Sequence, residues 1–192
     1  MELGKSVLFQ INDRNCEFRS LNETDVNKDY LDGLHEHKEY IKNIPYKLNI
    51  AKQKEYVKEI INSDHDTICG LFLDGRLVGT SGIQLSTLFL EYIDEPVKDV
   101  GTVGIFVFNK NLRGIGLGKT LVWASVYLFY ECTQIKLFGA GMQKSNNPSL
   151  KSFLSCGFKQ IYKDENSCKV FLNYSELTKP NFINNETVRF VD

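Results

Sequence analysis

The 192-residue chain lacks the sequence features that mark membrane, metal-binding and secreted proteins. No apolar run approaches the ~20 residues that a membrane-spanning helix needs. Only three histidines occur and none belongs to a histidine–cysteine cluster, so no metal site is predicted. The five cysteines form no Cys-x-x-Cys pair, and the start Met-Glu-Leu-Gly-Lys has no signal-peptide pattern. We therefore expect reduced thiols and a cytoplasmic protein.

An excess of charge of one sign is also lacking. The 23 lysines and arginines offset 24 acidic residues, which gives a net charge of −1. No basic run stands out, so nucleic-acid binding driven by phosphate neutralisation is not expected. The length suits one domain with a substantial core, and no internal repeat or interdomain linker is evident. We expect a single domain over residues 1–192.

Three glycines lie at alternate positions between a strand-like and a helix-like segment. The apolar run 103–108 precedes Gly114, Gly116 and Gly118, and the helix-like stretch 120–131 follows them. Glycines let consecutive backbone N–H groups curl around an anion, and the helix directs its positive end at the same place. The pattern favours a bound phosphate or pyrophosphate over a glycine-rich helix cap without a ligand.

Three phosphate-binding motifs compete for this turn. A P-loop, Gly-x-x-x-x-Gly-Lys-Ser/Thr, would require glycine where the chain has Arg113, and the dinucleotide motif Gly-x-Gly-x-x-Gly would require it at Lys119. The spacing that fits is Arg-x-x-Gly-x-Gly, formed by Arg113, Gly116 and Gly118. Here the sequence resembles the pyrophosphate loop of the GNAT superfamily of acyl-CoA N-acyltransferases, Gln/Arg-x-x-Gly-x-Gly/Ala.

A second segment has the signals of a short helix. Asn147 is a suitable N-cap, Pro148 suits the first helical position, and Gly157 suits the stop. The usual GNAT motif in this part of the sequence is Asn-x-x-Ala/Ser-x-x-x-Tyr-x-x-x-Gly-Phe. Counting back from Gly157, this chain has Asn146, Ser149 and Phe153 at the asparagine, small-residue and tyrosine places, as given in the sequence.

The predicted elements form an α/β fold with a mixed, mostly antiparallel sheet flanked by helices. Their order is β, α, α, three strands, α, β, α and two strands, with a strong hairpin turn at Asp74–Gly75. This order matches the GNAT fold over about residues 16–175, and residues 176–192 are predicted to form a C-terminal tail.

The resemblance implies acyl-CoA, carrying an acetyl or another short acyl group, as the co-substrate, with no metal. In GNAT enzymes the strand before the loop splays from its neighbour at a bulge, and its backbone pairs with pantetheine as another strand would. The loop amides hold the pyrophosphate, and the asparagine contacts the pantetheine arm. The implied contact residues are Phe106, Val107, Phe108, Arg113, Gly114, Ile115, Gly116, Leu117, Gly118, Lys119, Asn146, Ser149 and Phe153.

The catalytic residues are not assigned by the resemblance. Many GNAT enzymes carry a glutamate that acts as the general base on the strand before the loop. This chain has Thr102 or Val103 at that place. The tyrosine that often acts as their general acid is replaced by Phe153 here. Both the usual general base and the usual general acid are therefore missing. An amine of low pKa would need less help, because more of it is neutral at pH 7.

The acceptor implied by a looser resemblance is a nucleotide-linked deoxy amino sugar. The residues of both motifs are similar to those of GNAT enzymes in surface-polysaccharide pathways. In such enzymes the region of the first two helices forms one wall of the acceptor site. That region supplies His35, Tyr40 and Tyr46 as candidate substrate contacts. Alternatives are a protein or peptide N-terminal acetyltransferase, an aminoglycoside or polyamine acetyltransferase, and a non-catalytic acyl-CoA-binding module. The expected partner is a small-molecule amine, and a homodimer is left open.

Overall fold

The computed structural model describes residues 1–35, 49–93, 97–108, 112 and 114–191. Nine strands and four α-helices lie within these ranges. The strands are β1 (Ser6–Ile11), β2 (Arg14–Ser20), β3 (Asp66–Leu73), β4 (Arg76–Ser86), β5 (Val100–Val107), β6 (Leu137–Gln143), β7 (Lys159–Lys163), β8 (Ser167–Asn173) and β9 (Arg189–Val191). The helices are α1 (Lys28–His35), α2 (Ile50–Ile61), α3 (Leu117–Thr133) and α4 (Asn147–Ser155).

The strands form one sheet in the order β7-β8-β6-β5-β4-β3-β2-β1-β9. Only β5 and β6 are parallel among the described pairs. Helix α3 connects these two strands, as a parallel pair requires, because its crossover must span the sheet. The predicted α/β fold with a mixed, mostly antiparallel sheet is confirmed.

Two hairpins are closed by two-residue turns in the left-handed region. Asp74 and Gly75 have φ of 50° and 78°, and Asn12 and Asp13 have φ of 47° and 64°. Positive φ at both central residues is the type I′ geometry, whose twist matches the flanking strands. These turns fix the register of β1 with β2 and of β3 with β4.

Helices cover both faces of the sheet. On one face, α3 is buried around most of its circumference because it lies between the sheet and α4; Leu121, Ala124 and Phe129 are all 0% exposed. On the other face, α1 and α2 are amphipathic and pack on β3 and β4 through Tyr30 and Val57. Helices α1 and α2 cover the region where a cavity lies.

The C-terminal segment adds a strand to the sheet rather than only packing against it. Strand β9 pairs antiparallel with β1, and Phe190 contacts Tyr127 of α3 edge-on, with 6.1 Å between ring centroids. Residues 176–192 were predicted to form a C-terminal tail, and no strand was predicted within them. No described helix is long and apolar enough to cross a membrane.

Candidate active site

Strands β5 and β6 separate shortly after they begin. They pair only at Gly101–Phe138 and Thr102–Gly139. Beyond these pairs β5 continues beside β4 and β6 continues beside β8, so a wedge-shaped gap opens between the two parallel strands. The β4–β5 register is continuous from Val100 to Val107, so the splay occurs without the expected bulge in this pairing.

The backbone direction along β5 determines which residues face the gap. The Phe108 N–H donates to the Val78 carbonyl at 3.0 Å, toward β4. Because bonding direction alternates along an antiparallel strand, Phe106 has the same orientation, whereas Ile105 and Val107 direct their N–H and C=O groups toward the gap. Of the three residues expected to pair with pantetheine, Val107 has the suitable orientation, and Ile105 was not predicted.

The glycine turn leads directly into α3. Gly114 and Gly116 have φ of 85° and 94°, a region in which side chains with a β-carbon are strained. Gly116 is the N-cap of α3, and its carbonyl accepts the Thr120 N–H at 3.0 Å. Ile115 between the glycines is 43% exposed. Arg113 lies outside the described residues.

The first turn of α3 presents backbone donors at the exit of the glycine turn. The first N–H groups of an α-helix have no acceptor within the helix, which here concerns Leu117, Gly118 and Lys119. Gly118 serves close packing: a β-carbon built on it would lie 2.7 Å from Ser152 Oγ of α4. The turn therefore combines open donors with a helix N-terminus, the arrangement that binds phosphate groups.

Helix α4 begins one residue earlier than predicted. The N-cap is Asn146 rather than Asn147, because the Asn146 Oδ1 atom accepts the Ser149 N–H at 3.3 Å. Pro148 consequently occupies the second helical position. Since Oδ1 is engaged in the cap, the Nδ2 donors are the part of the Asn146 side chain suited to a pantetheine carbonyl.

The end of α4 is a packing site. Phe153 is 2% exposed and contacts Phe158 edge-on, with 5.0 Å between centroids. The Cys156 thiol donates to the Lys119 carbonyl at 3.3 Å and ties α4 to α3. Burial raises the pKa of Cys156 to about 11, so it is a neutral thiol rather than a nucleophile. These side chains supply neither an acid nor a base.

A cavity of about 720 Å³ lies beneath α1 and α2, on strands β3, β4 and β5. Its floor is lowered where Gly82 and Gly104 face each other on β4 and β5. Among the described residues, a β-carbon built on Gly104 would meet no atom within 4 Å, and one on Gly82 would come no closer than 3.5 Å to any atom. The two glycines therefore leave room for a ligand rather than for protein.

A row of polar residues crosses the cavity floor beside the glycines. Asp66 pairs with Gln84 and Gln84 pairs with Thr102, so the three residues lie at one level on adjacent strands. Thr102 is also the last residue of β5 to pair with β6, so the row ends where the gap opens. The Asp66 carboxylate accepts a hydrogen bond from Ser63 Oγ at 3.1 Å. Asp66 is the one carboxylate among the described lining residues.

The roof of the cavity carries hydroxyl and amide groups. The Tyr30 hydroxyl donates to Gln53 Oε1 at 3.4 Å, and Tyr56 lines the same space. Burial raises the pKa of Tyr30, and burial together with the nearby Asp66 carboxylate raises the pKa of Tyr56. Both tyrosines are therefore neutral hydrogen-bond donors at physiological pH.

The residues predicted to contact the acceptor are not among the described residues that line the cavity. His35 is exposed at the end of α1 and is not among the described residues that line the cavity. Tyr40 and Tyr46 lie outside the described residues. The cavity residues Asp66, Gln84 and Tyr56 were missed, since their convergence depends on strand register and helix packing. No group of three metal-ligating side chains occurs within the described ranges.

The fold, the splayed strands and the glycine turn are those of the acetyltransferase (GNAT) family. The profile of the acetyltransferase (GNAT) family matches residues 31–158, and the chain belongs to this family. The match includes the splay, the glycine turn and α4. No curated protein sequence matches the chain.

Solved structures share this architecture at low sequence identity. RimJ of Mycobacterium smegmatis in complex with CoA-disulfide is 13% identical, with a TM-score of 0.72 over 91% of this chain and 90% of RimJ. The ribosomal L7/L12 alpha-N-protein acetyltransferase RimL with coenzyme A is 11% identical, with a TM-score of 0.69 over 88% and 99%. The N-acetyltransferase PseH of Campylobacter jejuni with acetyl coenzyme A is 17% identical, with a TM-score of 0.56 over 81% and 98%.

Proposed function

We propose that the protein transfers an acetyl or another short acyl group from acyl-CoA to the amino group of a nucleotide-linked deoxy amino sugar, in surface-polysaccharide biosynthesis. The observation that carries this proposal is the cavity above Gly82 and Gly104, whose described lining contains one carboxylate and several neutral hydrogen-bonding groups. The cavity adjoins the gap between β5 and β6 at Thr102. An acceptor in the cavity and an acyl-CoA in the gap would meet at that point.

The described residues fit acyl-CoA. The orphaned N–H groups of the first turn of α3 suit the pyrophosphate, and the backbone of Ile105 and Val107 suits the pantetheine arm. A β-carbon on Gly114 would meet no atom of a described residue within 4 Å, which is consistent with space for a ligand there. Bound acyl-CoA supplies the thioester acyl group for the transfer.

The acceptor amine must lose a proton before it can attack, because an ammonium has no lone pair. We propose that Asp66 receives that proton through a chain of waters, because two strand spacings, about 10 Å, separate its backbone from that of Thr102. Gln84, Tyr56 and Thr80 line the same cavity and suit the hydroxyl and ring oxygens of a sugar.

The lining favours a sugar over a polyamine. A polyamine carries several positive charges, and desolvating them requires several facing carboxylates. The described part of the cavity wall offers Asp66 alone, and Lys52 adds a positive charge. Neutral donors and acceptors beside aromatic rings match a weakly basic sugar amine better.

A panel of amine acceptors tests this substrate class. With acetyl-CoA as donor and free-thiol release as readout, kcat/KM is expected to be highest for a nucleotide-linked amino sugar. Peptides with lysine side chains are expected to react at least about a hundredfold more slowly, since only on the order of a thousandth of a lysine amine is neutral at pH 7. A higher kcat/KM for any peptide, including an N-terminal amine, would overturn the sugar assignment. Tight CoA binding with no turnover of any amine would instead support a non-catalytic module.

A further inference from the structure

Residues 178–184 form a segment, here called the C-terminal strap, that is tied to the protein at both ends. At one end the Thr178 N–H donates to the Cys156 carbonyl at 3.0 Å, just after α4. At the other end Ile183 forms a bridge with Ile11 of β1 and is 2% exposed. Between them the Ile183 N–H donates to the Pro180 carbonyl at 3.1 Å and closes a tight turn.

The turn of the strap places Phe182 directly against the glycine turn. A β-carbon built on Gly116 would lie 2.4 Å from Phe182 Cζ. Phe182 is half-buried and packs against the main hydrophobic core. The aromatic ring therefore covers the N-cap of α3, whereas a β-carbon on Gly114 would meet no described atom within 4 Å.

We infer that Phe182 is a positioning residue, which holds the glycine turn in the conformation that binds the pyrophosphate of acyl-CoA. This inference rests on the proposed function, because it assigns the turn to that ligand. Gly116 has access to many backbone conformations, and a mobile turn would lose entropy when it closed on an anion. Packing by Phe182 removes part of that cost before the ligand arrives.

Three variants distinguish a positioning role of the Phe182 ring from a general contribution to protein stability: Phe182→Ala, Phe182→Leu and Phe190→Ala. Phe190 lies on the same C-terminal segment but packs on Tyr127, so its truncation is the matched control. Phe182→Ala is expected to raise the KM for acyl-CoA and the Kd for CoA about tenfold, while the acceptor KM and kcat change less than about twofold. Phe182→Leu keeps an apolar cover of smaller area, so it should give an intermediate loss of affinity, with the Kd for CoA raised about threefold.

The outcomes distinguish a failure of the proposed role of Phe182 from a failure of the proposed acyl-CoA site. Equal CoA affinity in Phe182→Ala and Phe190→Ala, with tight binding by the unmodified protein, would overturn the role of Phe182 alone. An unmodified protein that does not bind CoA would overturn the assignment of the turn itself, and the role of Phe182 with it. If Phe182→Ala does not fold, Phe182→Leu decides: a Kd raised above that of Phe190→Ala supports positioning, and an equal Kd overturns it.

Discussion

Replacing Asp66 with asparagine is expected to lower kcat by about a hundredfold or more with the preferred amine acceptor. Asparagine preserves the shape of the side chain and an acceptor for Ser63 Oγ, but it cannot take a proton from the acceptor ammonium. Loss of a positioned base costs on the order of a hundredfold to ten-thousandfold. Acyl-CoA affinity should be unchanged, because Asp66 lies across the cavity from the gap.

The pH dependence of Asp66→Asn provides the diagnostic readout. A higher pH increases the fraction of the acceptor amine that is neutral. The difference in kcat between Asp66→Asn and the unmodified protein should therefore shrink as the pH rises. Asp64→Asn is the matched control, since Asp64 is exposed two positions away and does not line the cavity. A deficit of equal size at every pH, or one shared with Asp64→Asn, would contradict the role of Asp66 as base.

Gly104→Leu is expected to abolish acceptor turnover, lowering kcat/KM for the amine about a hundredfold or more. The new side chain would occupy the cavity floor, where no atom of the described part of the chain lies within 4 Å of the β-carbon position. Displacing a reacting group by about 1 Å can cost a factor on the order of a hundred, and a leucine fills far more space than that. Gly104→Ala should give a smaller loss in the same direction.

Stability and CoA affinity separate this effect from misfolding. Gly104 lies within β5, where a leucine has a better strand propensity than glycine, so the thermal midpoint should not fall. The Kd for CoA should stay within about twofold of the unmodified value, because the Gly104 side chain position faces the cavity rather than the gap. Normal turnover by Gly104→Leu would show that the acceptor binds elsewhere.

Much of the fold was predictable because its signals are local. The Asp74–Gly75 turn, the Asn49 cap of α2 and the glycine turn before α3 each depend on residues adjacent in sequence. The position of the α4 cap was wrong by one residue, since Asn146 and Asn147 are both suitable caps. Only the hydrogen bond to Ser149 decides between them.

The missed parts of the site depend on contacts between distant segments. Asp66 reaches the level of Thr102 through the register of three strands, and a shift of one residue would turn its side chain to the other face. The backbone orientation of Ile105 likewise depends on which side of β5 bonds β4. Phe182 meets Gly116 only because the strap bridges to β1. None of these relations is encoded in a local motif.

The most direct test of the acyl-CoA site is a calorimetric titration of the unmodified protein with CoA and with pantetheine. Pantetheine retains the arm proposed to lie along β5 but lacks the pyrophosphate proposed to bind at the glycine turn. If the first turn of α3 holds the pyrophosphate, CoA should bind at least about a hundredfold more tightly than pantetheine, because charge-assisted hydrogen bonds to an anion each contribute on the order of 1.5–3 kcal/mol. Equal affinity for the two compounds would contradict the placement of the pyrophosphate and, with it, the arrangement of donor and acceptor on which the proposed transfer depends.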